Sequence, residues 1–151
     1  MKKFEVTVYT DGSCKGNPGP GGYGVILECN GQRREVAGFE PISTNNRMEL
    51  TAVIAAVKHL NKPCNITIVT DSMYVCNGIA CAKERAMNGW RLKSGARAKN
   101  YDLWQELTKV GVEGHHKFRF QHVEAHSGHP ENERCDQLAK EQIELNLSKI
   151  Q

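Results

Sequence analysis

The chain has 151 residues, of which 25% are charged and 39% hydrophobic, and its formal net charge is +3. These values imply one soluble globular domain, spanning 1–151, with a core of its own. No apolar run approaches the ~20 residues of a membrane-spanning helix, and so small a net charge excludes reading nucleic-acid binding from bulk charge alone.

The opening stretch "MKKFEVTVYTD" alternates Phe4, Val6 and Val8 with Glu5, Thr7 and Tyr9. That period predicts a half-buried strand ending at Asp11, and the start does not read as a secretion signal. The glycine- and proline-rich stretch to Gly24 follows. It lacks the Gly-Lys-Ser/Thr ending of a nucleotide-binding loop and leads into a strand, so it is expected to be a hairpin turn. A second strand is predicted over Tyr23–Cys29 and a third after the Asn30-Gly31 turn signal. From Ser43 to Leu60 the period becomes helical, with capping chemistry in residues 43–46 and no charge between Leu50 and Val57. A helix buried on most sides is expected there. "CNITIVTD" reads as a fourth strand ending at Asp71, and a helix starts after it. Lys83, Arg85, Arg91, Lys93, Arg97 and Lys99 then gather against one acid, Glu84, in a pattern suited to phosphates or to a solvated face. A short helix, "NYDLWQELTKV", precedes a last strand over His116–Val123, and an amphipathic helix runs from about Glu131 to Ile150.

The predicted order is βββ-α-β-α-α-β-α, an α/β chain with one mixed sheet flanked by helices. A right-handed crossover sets strand four beside strand one, with the carboxyl ends of both at one edge. Asp11 and Asp71 lie at those ends, where sites in α/β sheets gather. Glu49 and Asp136 occupy core-facing stripes of their helices. Singly, each acid has a plain structural reading: Asp11 as a turn residue, Asp71 as a helix cap, Glu49 and Asp136 as partners of a helix dipole. Together they are costly, because two carboxylates ~4 Å apart repel by about 4 kcal/mol at an effective dielectric of 20. A compensating cation answers the cost. Four carboxylates suit Mg²⁺ or Mn²⁺, and two such ions ~3.5–4 Å apart suit phosphodiester hydrolysis.

The six cysteines form no CxxC pair and are expected to be free thiols in a reducing, cytoplasmic setting. His122, His126, His129 and Cys135 have spacings that could serve zinc, but they fall on a strand, a loop and a helix core stripe, which argues against one tetrahedral site. His126, in the loop, is instead placed beside the acids for proton transfer or product release.

"TDGSCKGNPGPGGYG", "TNNRMEL", "TDSMYV", "KNYDLW" and "GHPENERCDQLA" together resemble type 1 ribonuclease H in its bacterial form, over about Phe4 to Glu144. The resemblance implies a ribonuclease H-like fold with sheet order 3-2-1-4-5. It implies endonucleolytic cleavage of the RNA strand of RNA–DNA hybrids, leaving 3′-hydroxyl and 5′-phosphate ends, with two Mg²⁺ ions (or Mn²⁺) bound beside the substrate. The family's metal-binding acids fall on Asp11, Glu49, Asp71 and Asp136, and its loop histidine on His126. Its hybrid contacts fall on Cys14, Asn17, Asn45 and Asn46, with Lys99 taken from the basic segment; a monomer is expected. There are departures: alanines at Ala82 and Ala86 where tryptophans are common, Glu124-Ala125 in place of Lys-Gly, and Met73 in place of glutamine. The loss of a lysine and gain of Glu124 predict weaker phosphate attraction. A non-catalytic binding module gains nothing from four repelling acids, and a transposase or integrase core needs further domains.

Overall fold

The computed structural model describes residues 3–125 and 127–150. Strands β1 (Phe4–Cys14), β2 (Gly19–Cys29) and β3 (Gln32–Ser43) form an antiparallel meander. Helix α1 (Asn45–Lys58) crosses over to β4 (Cys64–Thr70), parallel to β1. Helices α2 (Met73–Met87) and α3 (Tyr101–Glu113) lead to β5 (Lys117–His122), parallel to β4, and α4 (Pro130–Ile150) closes the chain. The sheet order is β3-β2-β1-β4-β5, as expected from the resemblance.

Alternation along the strands sorts the core into two layers. Val6, Val8, Val25, Leu27, Ile66 and Ile68 share one buried cluster with Leu50 and Val53 of α1, Val75 of α2 and Trp104 and Leu107 of α3. Helix α4 covers the opposite face, pressing Cys135, Leu138, Ala139 and Ile143 against β1 and β2. The Asn30-Gly31 signal is realised as a two-residue turn with φ of 52° and 77°, the left-handed pair of a tight hairpin. Thr44 caps α1 by accepting from Arg47 N at 3.2 Å, and Ser72 caps α2 by accepting from Val75 N at 3.1 Å. Asp71 is therefore not the cap, and the plain reading of that acid fails.

The glycine stretch differs from its expected form. β1 runs three residues past Asp11 and β2 begins at Gly19, so only residues 15–18 form the turn. The reason is packing. A Cβ on Gly12 would lie 2.5 Å from Glu49 N in α1, and one on Gly24 would lie 2.2 Å from the Cys135 carbonyl oxygen in α4. These glycines let two helices close on the two faces of one hairpin.

Ala82 is buried and, with Ala86, lines an apolar groove floored by Leu107 and Phe118, so both face inward. Trp90 is buried in the core cluster. All six cysteines are free, and no helix among the described residues is long and apolar enough to cross a membrane.

Candidate metal centre

Parallel pairing of β1 with β4 ends at Tyr9 and Val69, and just beyond it the two strands present Asp11 and Asp71. Glu49, in the second turn of α1, comes over Gly12 from the opposite layer. Each of these three acids offers a carboxylate oxygen, and the three oxygens lie within 4.8 Å of one another. Asp11 and Glu49 are both buried, and Gly12 N donates to Asp11 Oδ1 at 3.0 Å.

Burial, then the Asp71 and Asp136 charges, push the Asp11 carboxyl up to about 7. Burial, then Asp11 and Asp71, hold Glu49 well above the ordinary glutamate range. Glu49 Oε2 is buried with no hydrogen-bond partner among the described residues. A buried acceptor without a donor is costly. An all-oxygen, mutually repelling donor set with one orphaned oxygen fits a hard divalent cation.

Asp136, in the second turn of α4, lines the same cleft as Asp11, Asp71 and Glu124. It stands outside the group of three, and its Oδ2 pairs with Lys140 Nζ at 2.9 Å. Several contacts fix this end of α4: Asn132 Nδ2 donates to Val69 O at 3.2 Å, and Arg134 holds Glu35 of β3 at 2.7 and 3.0 Å. The Cys135 thiol lies 3.3 Å from Tyr9 O, and burial pushes it up to about 12. Sequence reasoning missed Asn132, Arg134 and Lys140. Only Lys140 left a signal, as an Asp-to-Lys pair four residues apart on a helix.

His126 lies outside the described residues. His122 hydrogen-bonds through Nε2 to the Asp71 carbonyl at 3.2 Å, and His122, His129 and Cys135 form no metal-holding group among the described residues.

The residues expected to hold substrate gather at the hairpin turn, the head of α1 and the loop before α3. The Cys14 thiol is surrounded by the carbonyls of Gly16, Gly19 and Ser43 at 3.1–3.3 Å. Asn17 Oδ1 accepts from Asn45 N at 2.9 Å, tying the hairpin turn to the start of α1. Asn45 and Asn46 are exposed there. Lys99, also exposed, precedes Asn100, which Arg47 of α1 reaches at 3.3 Å while gripping Asp102 at 2.9 and 2.7 Å. The turn, the head of α1 and the basic loop are thus laced together.

The family model described as RNase H matches residues 3–144. The chain belongs to the RNase H family. Among its relatives, the Ribonuclease H of Nitratidesulfovibrio vulgaris (strain DP4) is 48% identical over 146 residues, covering 94% of this chain and 91% of the relative. That of Desulforamulus reducens is 51% identical over 138 residues, covering 89% and 85%. Of solved structures, LC9-RNase H1, described as a type 1 RNase H with the type 2 active-site motif, superposes with a TM-score of 0.83 at 36% identity, covering 95% of this chain and 74% of its own. LC11-RNase H1 in complex with RNA/DNA hybrid shares the fold at TM-score 0.73 and 24% identity, covering 94% and 99%. In this RNase H the three converged acids are carried by β1, α1 and the end of β4, and the fourth by α4.

Proposed function

We propose that the chain is a divalent-cation-dependent endonuclease that hydrolyses the RNA strand of RNA–DNA hybrids, leaving 3′-hydroxyl and 5′-phosphate ends. The observation that carries the reading is the convergence of Asp11, Glu49 and Asp71 within 4.8 Å in a chain of the RNase H family. A complex of RNA/DNA hybrid with a protein of the same fold supports the substrate class.

In this reading Asp11, Glu49 and Asp71 hold one Mg²⁺ (Mn²⁺ as an alternative), and Asp11 with Asp136 holds a second. The chemistry supplied by such a pair, when bound, is activation of a water and stabilisation of charge on the leaving oxygen. Asp11 would be the shared ligand, because the charges of both Asp71 and Asp136 act on it. Gly12 N–H orients its carboxylate. Loss of the Asp11 or Glu49 proton on cation binding restores charge that burial suppresses in the metal-free protein.

His126, two residues after Glu124 of the cleft, is assigned to proton transfer or product release. Cys14, Asn17, Asn45 and Asn46 are assigned to the sugar edge in the minor groove, where a 2′-hydroxyl separates RNA from DNA. Lys99 is assigned to phosphate, which positions the duplex without reading bases. The reading takes 1–151 as one domain acting as a cytoplasmic monomer, with the hybrid and no membrane as its partner.

The test offers labelled hybrid, duplex RNA and duplex DNA to the wild type with Mg²⁺, to the wild type with EDTA, and to Asp11→Asn. Hybrid-only cleavage that both EDTA and the variant abolish is expected. Sparing of the hybrid, or activity that survives Asp11→Asn, would falsify the assignment.

A further inference from the structure

Three carboxylates converge in the cleft, and the fourth, Asp136, reaches Asp11 but is also paired with a lysine. Asp136 faces the cleft, yet its Oδ2 is held by Lys140 Nζ at 2.9 Å, one turn further along α4. The Lys140 side chain is 58% exposed and that of Asp136 24%, so the ammonium sits on the solvent side of the carboxylate. Lys140 also lies near enough to Asp11 to feel its charge. Its positive charge therefore stands beside the position that Asp11 and Asp136 would share.

We infer that Lys140 is an intramolecular competitor for the cation position shared by Asp11 and Asp136. The inference rests on the metal-dependent reading given above. An ammonium 2.9 Å from one Asp136 oxygen and a divalent cation on the same carboxylate are close enough to repel strongly. Lys140 must therefore swing out before Asp136 can serve as a ligand. The long exposed stem makes that movement easy, since exposed pairs of this kind are weak. Lys140 thus sets how much cation the position shared by Asp11 and Asp136 demands. Lys140 acts here as a positioning residue, through Asp136.

The test measures Mn²⁺ binding to the full chain by electron paramagnetic resonance, with and without a hybrid whose RNA strand has been made uncleavable. The half-saturating Mg²⁺ for cleavage is the second readout. Variants are Lys140→Gln, Lys140→Arg and Asp11→Asn. The expected result is that Lys140→Gln tightens the weaker Mn²⁺ class by about two- to five-fold, the equivalent of one exposed ion pair. The tighter class should be unmoved, Lys140→Arg should behave as wild type, and half-saturating Mg²⁺ should fall in parallel. An equal shift of both classes in Lys140→Gln would reduce the effect to bulk charge and overturn the inference, as would no shift at all. Wild-type Mn²⁺ binding no greater than that of Asp11→Asn sinks the metal reading itself and this inference with it.

Discussion

Helices α1 and α4 each bring one acid toward Asp11, from opposite faces of the sheet and under opposite conditions. α1 buries Glu49 to 8% exposure with Oε2 unpartnered among the described residues, whereas α4 leaves Asp136 partly exposed and paired with Lys140. The same residue chemistry therefore carries two different energetic burdens. Burial pushes the first acid toward its neutral form, and the more exposed one already has a cation of its own. Burial and partnership, rather than the number of carboxylates, set what each contributes.

The largest expected effect comes from removing the buried member. Glu49→Gln should lower hybrid cleavage by about 10²–10³-fold or more, the scale of losing one group that stabilises transition-state charge. The same change should raise the melting temperature in chelator at neutral pH, because it removes the cost of folding an acid that is ionised when unfolded and pushed toward its neutral form by burial. A fall in melting temperature there would contradict the picture of an uncompensated acid.

Next in size is the approach of the helices themselves. Gly24→Ala forces a Cβ to 2.2 Å from the Cys135 carbonyl oxygen, and Gly12→Ala forces one to 2.5 Å from Glu49 N. Each should destabilise by about 1–3 kcal/mol in urea unfolding, the range for overpacking against backbone that cannot yield.

The pH dependence follows from Asp11, raised from 3.8 to about 7 by burial first and by Asp71 next. Because its folded value lies above the unfolded one, the folded state binds more protons between those limits. Stability of the metal-free protein is then greatest at the acid end of the window and declines as pH rises from about 4 toward about 7. Melting in EDTA across that range should show the slope, and Asp11→Asn should flatten it.

The smallest effects belong to the exposed side. Asp136→Asn should change stability by less than about 1 kcal/mol, as one exposed ion pair is lost and no buried charge is left behind. Glu124→Lys should lower KM at low salt and lose that advantage as salt rises, since the cleft exchanges an acid for a phosphate-attracting base.

Much of this was legible in advance, for reasons specific to each element. Phe4, Val6 and Val8 announced β1 by a period of two, and the Asn30-Gly31 pair announced a tight turn that only left-handed residues enter easily. Asp11, Glu49 and Asp71 stood out because acids at strand ends or on a core stripe violate the pattern around them. The glycine stretch was rightly expected to be a hairpin turn but its extent was not legible, because a glycine needed for a free turn and one needed for a close helix look alike in one dimension.

By itself, then, the sequence determined the period of each element, the crossover that sets β4 beside β1, and the identity of the acids at their shared edge. Tertiary structure alone decided that three of those acids meet while Asp136 is held by Lys140, and that Asn132 and Arg134 anchor the end of α4. The reason is physical. Periodicity and local chemistry act over a few residues, whereas the distance between two carboxylates depends on how closely two helices pack on opposite faces of a sheet. At Gly12 and Gly24 that distance is set by the absence of a single methyl group.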